Sequence, residues 1–87
     1  MTQSTNRPEA VQASPCILIV EDEAVFAKAV NKRLTKDGYR CILCPDLEAA
    51  DVAITSQEPD LILLDMRLPD GSGLDFLTNL REQRGNA

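Results

Sequence analysis

Acidic side chains follow two short apolar runs of this sequence, at the points where the runs end. Glu21 and Asp22 come directly after the apolar run 17–20, and Asp65 comes directly after the apolar run 61–64. Short unbroken apolar runs are typical of strands that are buried on both faces of a parallel sheet. Because ligands bind at the carboxyl ends of such strands, we expect these carboxylates to converge if the strands are neighbours. Carboxylates that repel one another at short range call for a cation, most naturally Mg²⁺.

Strand and helix signals alternate along the chain, which predicts a parallel sheet with helices packed against it. Strands are predicted over about residues 16–21, 39–44 and 61–64, and a helix follows each of them. In the first helix, predicted over about residues 23–37, Phe26, Val30 and Leu34 recur at a spacing of four, with Ala27 beside them. This spacing predicts an apolar stripe that faces the core.

Local signals indicate where these helices begin and end. Gly38 suits the position just after the first helix. Asp46 and Ser72 are predicted to cap the second and third helices, and Asp75 completes a capping-box pattern with Ser72. Residues 66–73 are rich in proline and glycine and are therefore predicted to form a loop.

Composition narrows the class of protein. With 87 residues and a net charge of −5, the chain is one small domain at most and shows no basic stripe for nucleic acid. The polar residues 1–15 are predicted to be a disordered lead-in to a domain over residues 16–87. We expect neither a secretory signal nor a membrane span, and hence a cytoplasmic protein without a membrane partner.

Cysteines offer an alternative site, because Cys41 and Cys44 form a C-x-x-C pattern. Zinc is disfavoured, since the sequence has no histidine and only Cys16 remains as a further thiol. Both residues of the pattern fall in a predicted strand, where an offset of three points their side chains to opposite faces. We therefore predict structural cysteines in a reducing compartment rather than a redox or metal site.

Three separate blocks of this sequence form a specific combination. They are the run 17–23, the turn Gly38-Tyr39, and the run 60–73, in which Asp65 opens the pattern D-x-x-L-P-x-x-x-G. In these blocks the sequence, from about Cys16 to its end, resembles the receiver domain of two-component response regulators. The resemblance implies an α/β fold with a flavodoxin-like, doubly wound parallel sheet. Of that sheet, this sequence would hold the first three βα units, in strand order 2-1-3.

The resemblance also implies a role for each site residue. Asp65 matches the aspartate that accepts a phosphoryl group from a sensor histidine kinase or a phosphotransfer protein. Asp22 matches the acidic residue that binds Mg²⁺ directly, and Glu21 matches the one that acts through a water molecule. The backbone carbonyl of Arg67 matches a further protein ligand of the metal, alongside Asp65 itself. The implied module is a signalling domain rather than an enzyme.

Some of these residues could instead have a purely structural role. Asp22 alone is as well suited to capping the helix that follows it. Arg67 and Asp70 are predicted to be surface or loop residues rather than catalytic ones. A phosphatase of the aspartyl-phosphate type would carry D-x-D after its strand, and Arg67 stands at the second acidic place.

The sequence departs from the family in its length. A complete receiver domain has a fourth strand that ends in Ser or Thr and a fifth that carries Lys, and both lie beyond these residues. We therefore expect a truncated receiver that is impaired in signalling. Alternatives are a short decoy or competitor that binds a kinase or another receiver, and a small Mg²⁺-dependent phosphohydrolase. Because the third strand would lack a partner on its far side, we also expect self-association through this edge.

Overall fold

A three-stranded parallel sheet forms the centre of the fold in the computed structural model, which describes residues 14–83. In chain order the elements are β1 (Cys16–Val20), α1 (Ala24–Lys36), β2 (Arg40–Cys44), α2 (Leu47–Gln57), β3 (Leu61–Leu64), β4 (Arg67–Leu68), β5 (Gly71–Ser72) and α3 (Gly73–Gln83). The strand order is β2-β1-β3, as predicted. Most of the predicted lead-in, residues 1–13, lies outside the described residues.

The register of the sheet brings the ends of its strands level with one another. Val20 of β1 is opposite Cys44 of β2 and Leu64 of β3. At the other end of β1, the Asp60 carboxylate accepts a hydrogen bond of 2.7 Å from the backbone N–H of Cys16. The Asp60 N–H donates in turn to the Cys16 carbonyl at 2.8 Å. These bonds fix the start of β3 beside the start of β1, so that both strands finish at one edge.

One face of the sheet carries the main core, under α2 and α3. Leu18 and Val20 of β1 and Cys44 of β2 are buried there against the apolar side of α2. The α2 residues in this core are Ala50, Ala53 and Ile54. Partly buried side chains surround this core. They come from β2, β3, β4, α2 and α3, and are Ile42, Leu47, Ala49, Ile62, Leu64, Leu68, Phe76 and Leu80. The packing on this face fixes α2 relative to β1.

The opposite face, next to α1, is only partly covered. Ile17 and Ile19 of β1 are buried, whereas Leu61 and Leu63 of β3 are 51% and 38% exposed. The prediction of burial on both faces is therefore confirmed for β1 and wrong for β3. In the described residues β3 has a strand neighbour on one side only, so its outward-facing leucines receive little cover.

The predicted apolar stripe of α1 is only partly correct. Of the predicted stripe, Ala27 is buried and Val30 and Leu34 are partly buried, as expected, but Phe26 is 58% exposed. The spacing of four identified the side of the helix that faces the sheet. It did not determine how far along the helix the sheet extends beneath it.

Residues 66–73 were predicted to form a loop, and this prediction is wrong in part. The segment contains an antiparallel hairpin in which Arg67 pairs with Ser72 and Leu68 pairs with Gly71. Gly71 has a backbone φ of +150°, a conformation that side chains disfavour. Strands of two residues contain no apolar period, so the sequence pattern shows only the turn between them.

The predicted helix ends are confirmed. The Asp46 carboxylate accepts a hydrogen bond of 2.8 Å from the Ala49 N–H at the start of α2. The Ser72 hydroxyl accepts one of 3.2 Å from the Asp75 N–H at the start of α3. Gly38 follows α1 with φ +101°, which is the left-handed conformation that glycine tolerates best.

Candidate metal centre

The predicted acidic residues come together at the carboxyl edge of the sheet. Glu21, Asp22 and Asp65 each offer one carboxylate oxygen, and these three oxygens lie within 4.8 Å of one another. Glu21 and Asp65 are half-buried and Asp22 is exposed. Hard divalent cations such as Mg²⁺ prefer oxygen ligands and usually retain several waters, for which an open site of this kind leaves room. The donor set therefore fits Mg²⁺.

Backbone hydrogen bonds hold both sides of this cluster in place. The ladder of the sheet continues one residue past the strands, since the Glu21 N–H donates to the Cys44 carbonyl at 2.9 Å. On the other side of β1, the Asp65 N–H donates to the Val20 carbonyl at 3.1 Å. The backbone of each residue is thus tied to the neighbouring strand, and only the side chains remain to be ordered.

The turn after β1 leaves the Asp22 carboxylate in the cluster. Glu23 occupies the N-cap position of α1 and makes no side-chain capping bond. The Glu21 carboxylate instead accepts a hydrogen bond of 3.1 Å from the Glu23 N–H. The alternative in which Asp22 serves only as the cap of this helix is therefore wrong.

Gly73 packs directly against the backbone of Asp65. A Cβ atom at Gly73 would collide with the Asp65 carbonyl oxygen and would approach the Leu64 Cγ to 3.2 Å. The Gly73 N–H also donates to the Met66 carbonyl at 2.9 Å. Sequence reasoning treated Gly73 as part of a loop, although its fixed place at the end of D-x-x-L-P-x-x-x-G was a signal of this contact.

Arg67 begins β4, two residues beyond Asp65, and pairs with Ser72 across the hairpin. Its side chain is exposed, in agreement with the expectation of a surface residue. The role of its backbone carbonyl as a metal ligand remains a prediction that rests on the resemblance.

Asp70 has a structural role that the sequence did not reveal. Its carboxylate accepts hydrogen bonds from two backbone N–H groups of α2, Leu47 at 2.8 Å and Glu48 at 3.0 Å. The Leu47 N–H has the largest effect on the pKa of Asp70 and holds it below its ordinary value of 3.8. Desolvation opposes this effect, and the N–H groups of Glu48 and of Asp70 itself lower the pKa further. The partners are more than 20 residues away, so no local pattern could indicate them.

The two cysteines of the C-x-x-C pattern fall in a strand, as predicted. Cys41 and Cys44 lie in β2, and all three cysteines of the chain are free. Burial, followed by the nearby Asp46 carboxylate, raises the pKa of the Cys44 thiol. A raised pKa disfavours the thiolate that redox and metal chemistry require.

A groove with apolar walls opens beside the carboxylates, on the α1 side of the sheet. It has a volume of about 280 Å³, and its walls include Ile19, Phe26 and Leu63. Glu21 and Asp65 also line it. The cluster is therefore accessible from the face on which β3 is least covered.

Comparison with known proteins agrees with this geometry. Residues 17–87 match the family of the response regulator receiver domain. The chain belongs to this family. It is 38% identical over 66 residues to the KDP operon transcriptional regulatory protein KdpE of Escherichia coli K12, covering 76% of this chain and 29% of KdpE. The matched part of this chain thus spans less than a third of the length of KdpE.

Solved structures of receiver domains share the fold. The signal receiver domain of a LuxO repressor protein from Vibrio parahaemolyticus matches with a TM-score of 0.77 at 29% identity, over 83% of this chain and 55% of that one. TrrA of Thermotoga maritima, solved in complex with Mg²⁺-BeF, matches with a TM-score of 0.75 at 28% identity, over 80% of this chain and 61% of that one. The flavodoxin-like α/β fold with strand order 2-1-3 is therefore confirmed.

Receiver domains are signalling modules of two-component systems that bind Mg²⁺ at an acidic pocket and interact with histidine kinases or phosphotransfer proteins. Within residues 14–83, no helix has both the length and the apolar character that a membrane crossing requires.

Proposed function

We propose that residues 16–87 are a receiver unit in which Asp65 accepts a phosphoryl group from a sensor histidine kinase or a phosphotransfer protein, with Mg²⁺. The observation that carries this proposal is the convergence of Glu21, Asp22 and Asp65, whose oxygens lie within 4.8 Å of one another. A further support is TrrA, a similar receiver protein that was solved with Mg²⁺-BeF.

In this reaction an oxygen of Asp65 attacks the phosphorus of a phosphohistidine. The new bond joins that oxygen to phosphorus, the phosphorus–nitrogen bond breaks, and its electron pair stays on the imidazole nitrogen. Bound Mg²⁺ would offset the repulsion between the two anions and the charge of the transition state. The sheet contributes position, because the Asp65 N–H is fixed to the Val20 carbonyl at 3.1 Å.

The metal ligands divide into direct and indirect ones. Asp22 is assigned to direct coordination together with Asp65 and the backbone carbonyl of Arg67. The resemblance assigns Glu21 to contact through a water molecule, and the hydrogen bond of 3.1 Å that its carboxylate accepts from the Glu23 N–H is compatible with that role. A carboxylate that is held back in this way suits the outer position around a strongly hydrated ion.

A direct test uses a small phosphoryl donor such as acetyl phosphate, which removes the need for the unidentified kinase. We expect one covalently bound phosphoryl group per chain with donor and Mg²⁺, measured by intact mass, and none when Mg²⁺ is chelated. Modification that does not depend on Mg²⁺ would contradict the proposal.

A second candidate function is binding without phosphotransfer, as a decoy for a kinase or another receiver, or as a homo-oligomer. The observation that favours it is the exposure of Leu61 and Leu63 on β3, which has a strand neighbour on one side only in the described part of the chain. Such an edge recruits other strands. Sedimentation with the mass of a monomer at every concentration would exclude the homo-oligomer. Multiple turnover of a phosphate ester would instead indicate a phosphohydrolase.

A further inference from the structure

One carboxylate outside the acidic cluster joins two parts of the fold that are distant in sequence. Asp70 lies in the turn of the β4–β5 hairpin, and its two oxygens accept from Leu47 and Glu48 at 2.8 and 3.0 Å. These residues supply the first two N–H groups of α2, and Asp46 satisfies the next one, from Ala49, at 2.8 Å. The N-terminus of α2 is thus capped by two carboxylates, Asp46 directly before the helix and Asp70 in the hairpin.

The hairpin needs an external support of this kind. It consists of two strands of two residues each, and an isolated two-stranded hairpin is marginal in water. Gly71 of the hairpin also packs closely against Leu47 of α2, since a Cβ at Gly71 would lie 3.1 Å from the Leu47 Cδ1. A carboxylate at a helix N-terminus is also favoured by the helix dipole.

Support for the hairpin matters to the metal centre because of where the hairpin begins. Asp65 is two residues before β4, and Arg67, whose carbonyl is the proposed ligand, is the first residue of β4. At the other end of the connection, α2 packs on the β1 residues Leu18 and Val20, directly before Glu21. The Asp70 bonds therefore close a path from one half of the acidic cluster to the other.

We propose that Asp70 is a positioning residue for the metal centre, which holds the Arg67 carbonyl and Asp65 at a fixed distance from Glu21 and Asp22 through the N-terminus of α2. The effect on Mg²⁺ rests on the proposed function. The link between the hairpin and α2 rests on the observed hydrogen bonds of Asp70. Residues that orient metal ligands from behind them change metal affinity by about 10- to 100-fold when they are replaced.

Asp46 provides a matched control for the test. Asp46→Ala and Asp70→Ala each remove a carboxylate that caps α2, but only Asp70 links α2 to the hairpin. In the full chain, calorimetric titration with Mg²⁺ should give a Kd about tenfold higher for Asp70→Ala. Asp46→Ala should leave the Kd unchanged, while thermal unfolding shows that both variants are destabilised. Asp70→Asn keeps one acceptor oxygen and should restore part of the affinity.

Amide hydrogen exchange gives a readout that does not depend on the metal. Without Mg²⁺, the Gly73 N–H, which donates to the Met66 carbonyl at 2.9 Å, should exchange faster in Asp70→Ala than in Asp46→Ala. Equal effects of the two variants on both exchange and Kd would overturn the proposal. If the unaltered chain binds no Mg²⁺, the proposed function fails, and the exchange comparison still decides whether Asp70 positions the hairpin. Should Asp70→Ala not fold, Asp70→Asn takes its place in both measurements.

Discussion

The two strands that carry the acidic cluster are held in place by different means. β1 lies between two strands and is buried along its whole length, so Glu21 and Asp22 follow the most completely buried strand of the sheet. β3 has a neighbour on one side in the described residues, and Leu61 at its start is 51% exposed. Asp65 nevertheless reaches the same site, because the segment after it packs back against the sheet.

This difference shows that a strand end can be positioned from either direction. On the β1 side, the buried strand that precedes Glu21 and Asp22 positions them. On the β3 side, the contacts come afterwards, from Gly73 against the Asp65 carbonyl and from Asp70 on α2. A substitution before the carboxylates should therefore cost more on β1 than on β3, and the position of Asp65 should depend on the residues that follow it.

The largest effect should come from the strand interiors. Leu18→Ala removes a fully buried side chain of β1 and should cost about 3–5 kcal/mol, which is about all that a core of this size supplies. Leu61→Ala removes the same atoms from β3, where the side chain is 51% exposed, and should cost less than about 1 kcal/mol. Urea unfolding followed by circular dichroism measures both. Equal losses would contradict the contrast between the two strands.

The next largest effect should come from the contact behind Asp65. Gly73→Ala places a methyl group against the Asp65 carbonyl, so the backbone must shift, at a cost of about 1–3 kcal/mol. Phosphorylation by acetyl phosphate should slow as well. Leu74→Ala is the control, since Leu74 is the next residue and is 54% exposed. If both variants are phosphorylated at the unaltered rate, Gly73 does not position Asp65.

The two residues on the β1 side should differ in how they affect the metal. Asp22→Asn should raise the Kd for Mg²⁺ by about tenfold or more, a loss of about 1.4 kcal/mol, because a direct anionic ligand becomes neutral. Glu21→Gln should raise it less, since that contact is assigned to a water molecule. Asp75→Asn, on α3, is the control for net charge. Calorimetric titration that finds the larger loss for Glu21→Gln would reverse the assignment.

The smallest effect should be the pH dependence that Asp70 contributes. Because hydrogen bonds from Leu47 and Glu48 lower its folded-state pKa below 3.8, its contribution to stability is complete above that pH. It is lost as the pH falls through the lowered value. The difference in unfolding midpoint between the unaltered chain and Asp70→Asn should therefore shrink on acidification below about pH 4. A difference that grows in acid would contradict the sign.

The resemblance to receiver domains predicted the strand order, and the acidic cluster could be predicted for a physical reason. Apolar runs followed by Glu21, Asp22 and Asp65 are local signals, and parallel strands bring their carboxyl ends to one edge. Burial of Leu61 was predicted wrongly, because the cover over a strand depends on what packs against it. The contacts of Asp70 were missed, since they join positions more than 20 residues apart without any period.

The central claim is that Asp65, rather than either acidic neighbour, receives the phosphoryl group. The most direct measurement is to phosphorylate the chain with acetyl phosphate and Mg²⁺, trap the acyl phosphate by borohydride reduction, and locate the modified residue by mass spectrometry. We expect modification at Asp65 and its loss in Asp65→Asn, with the fold of that variant checked by circular dichroism. Modification at Glu21 or Asp22, or undiminished modification of Asp65→Asn, would contradict it.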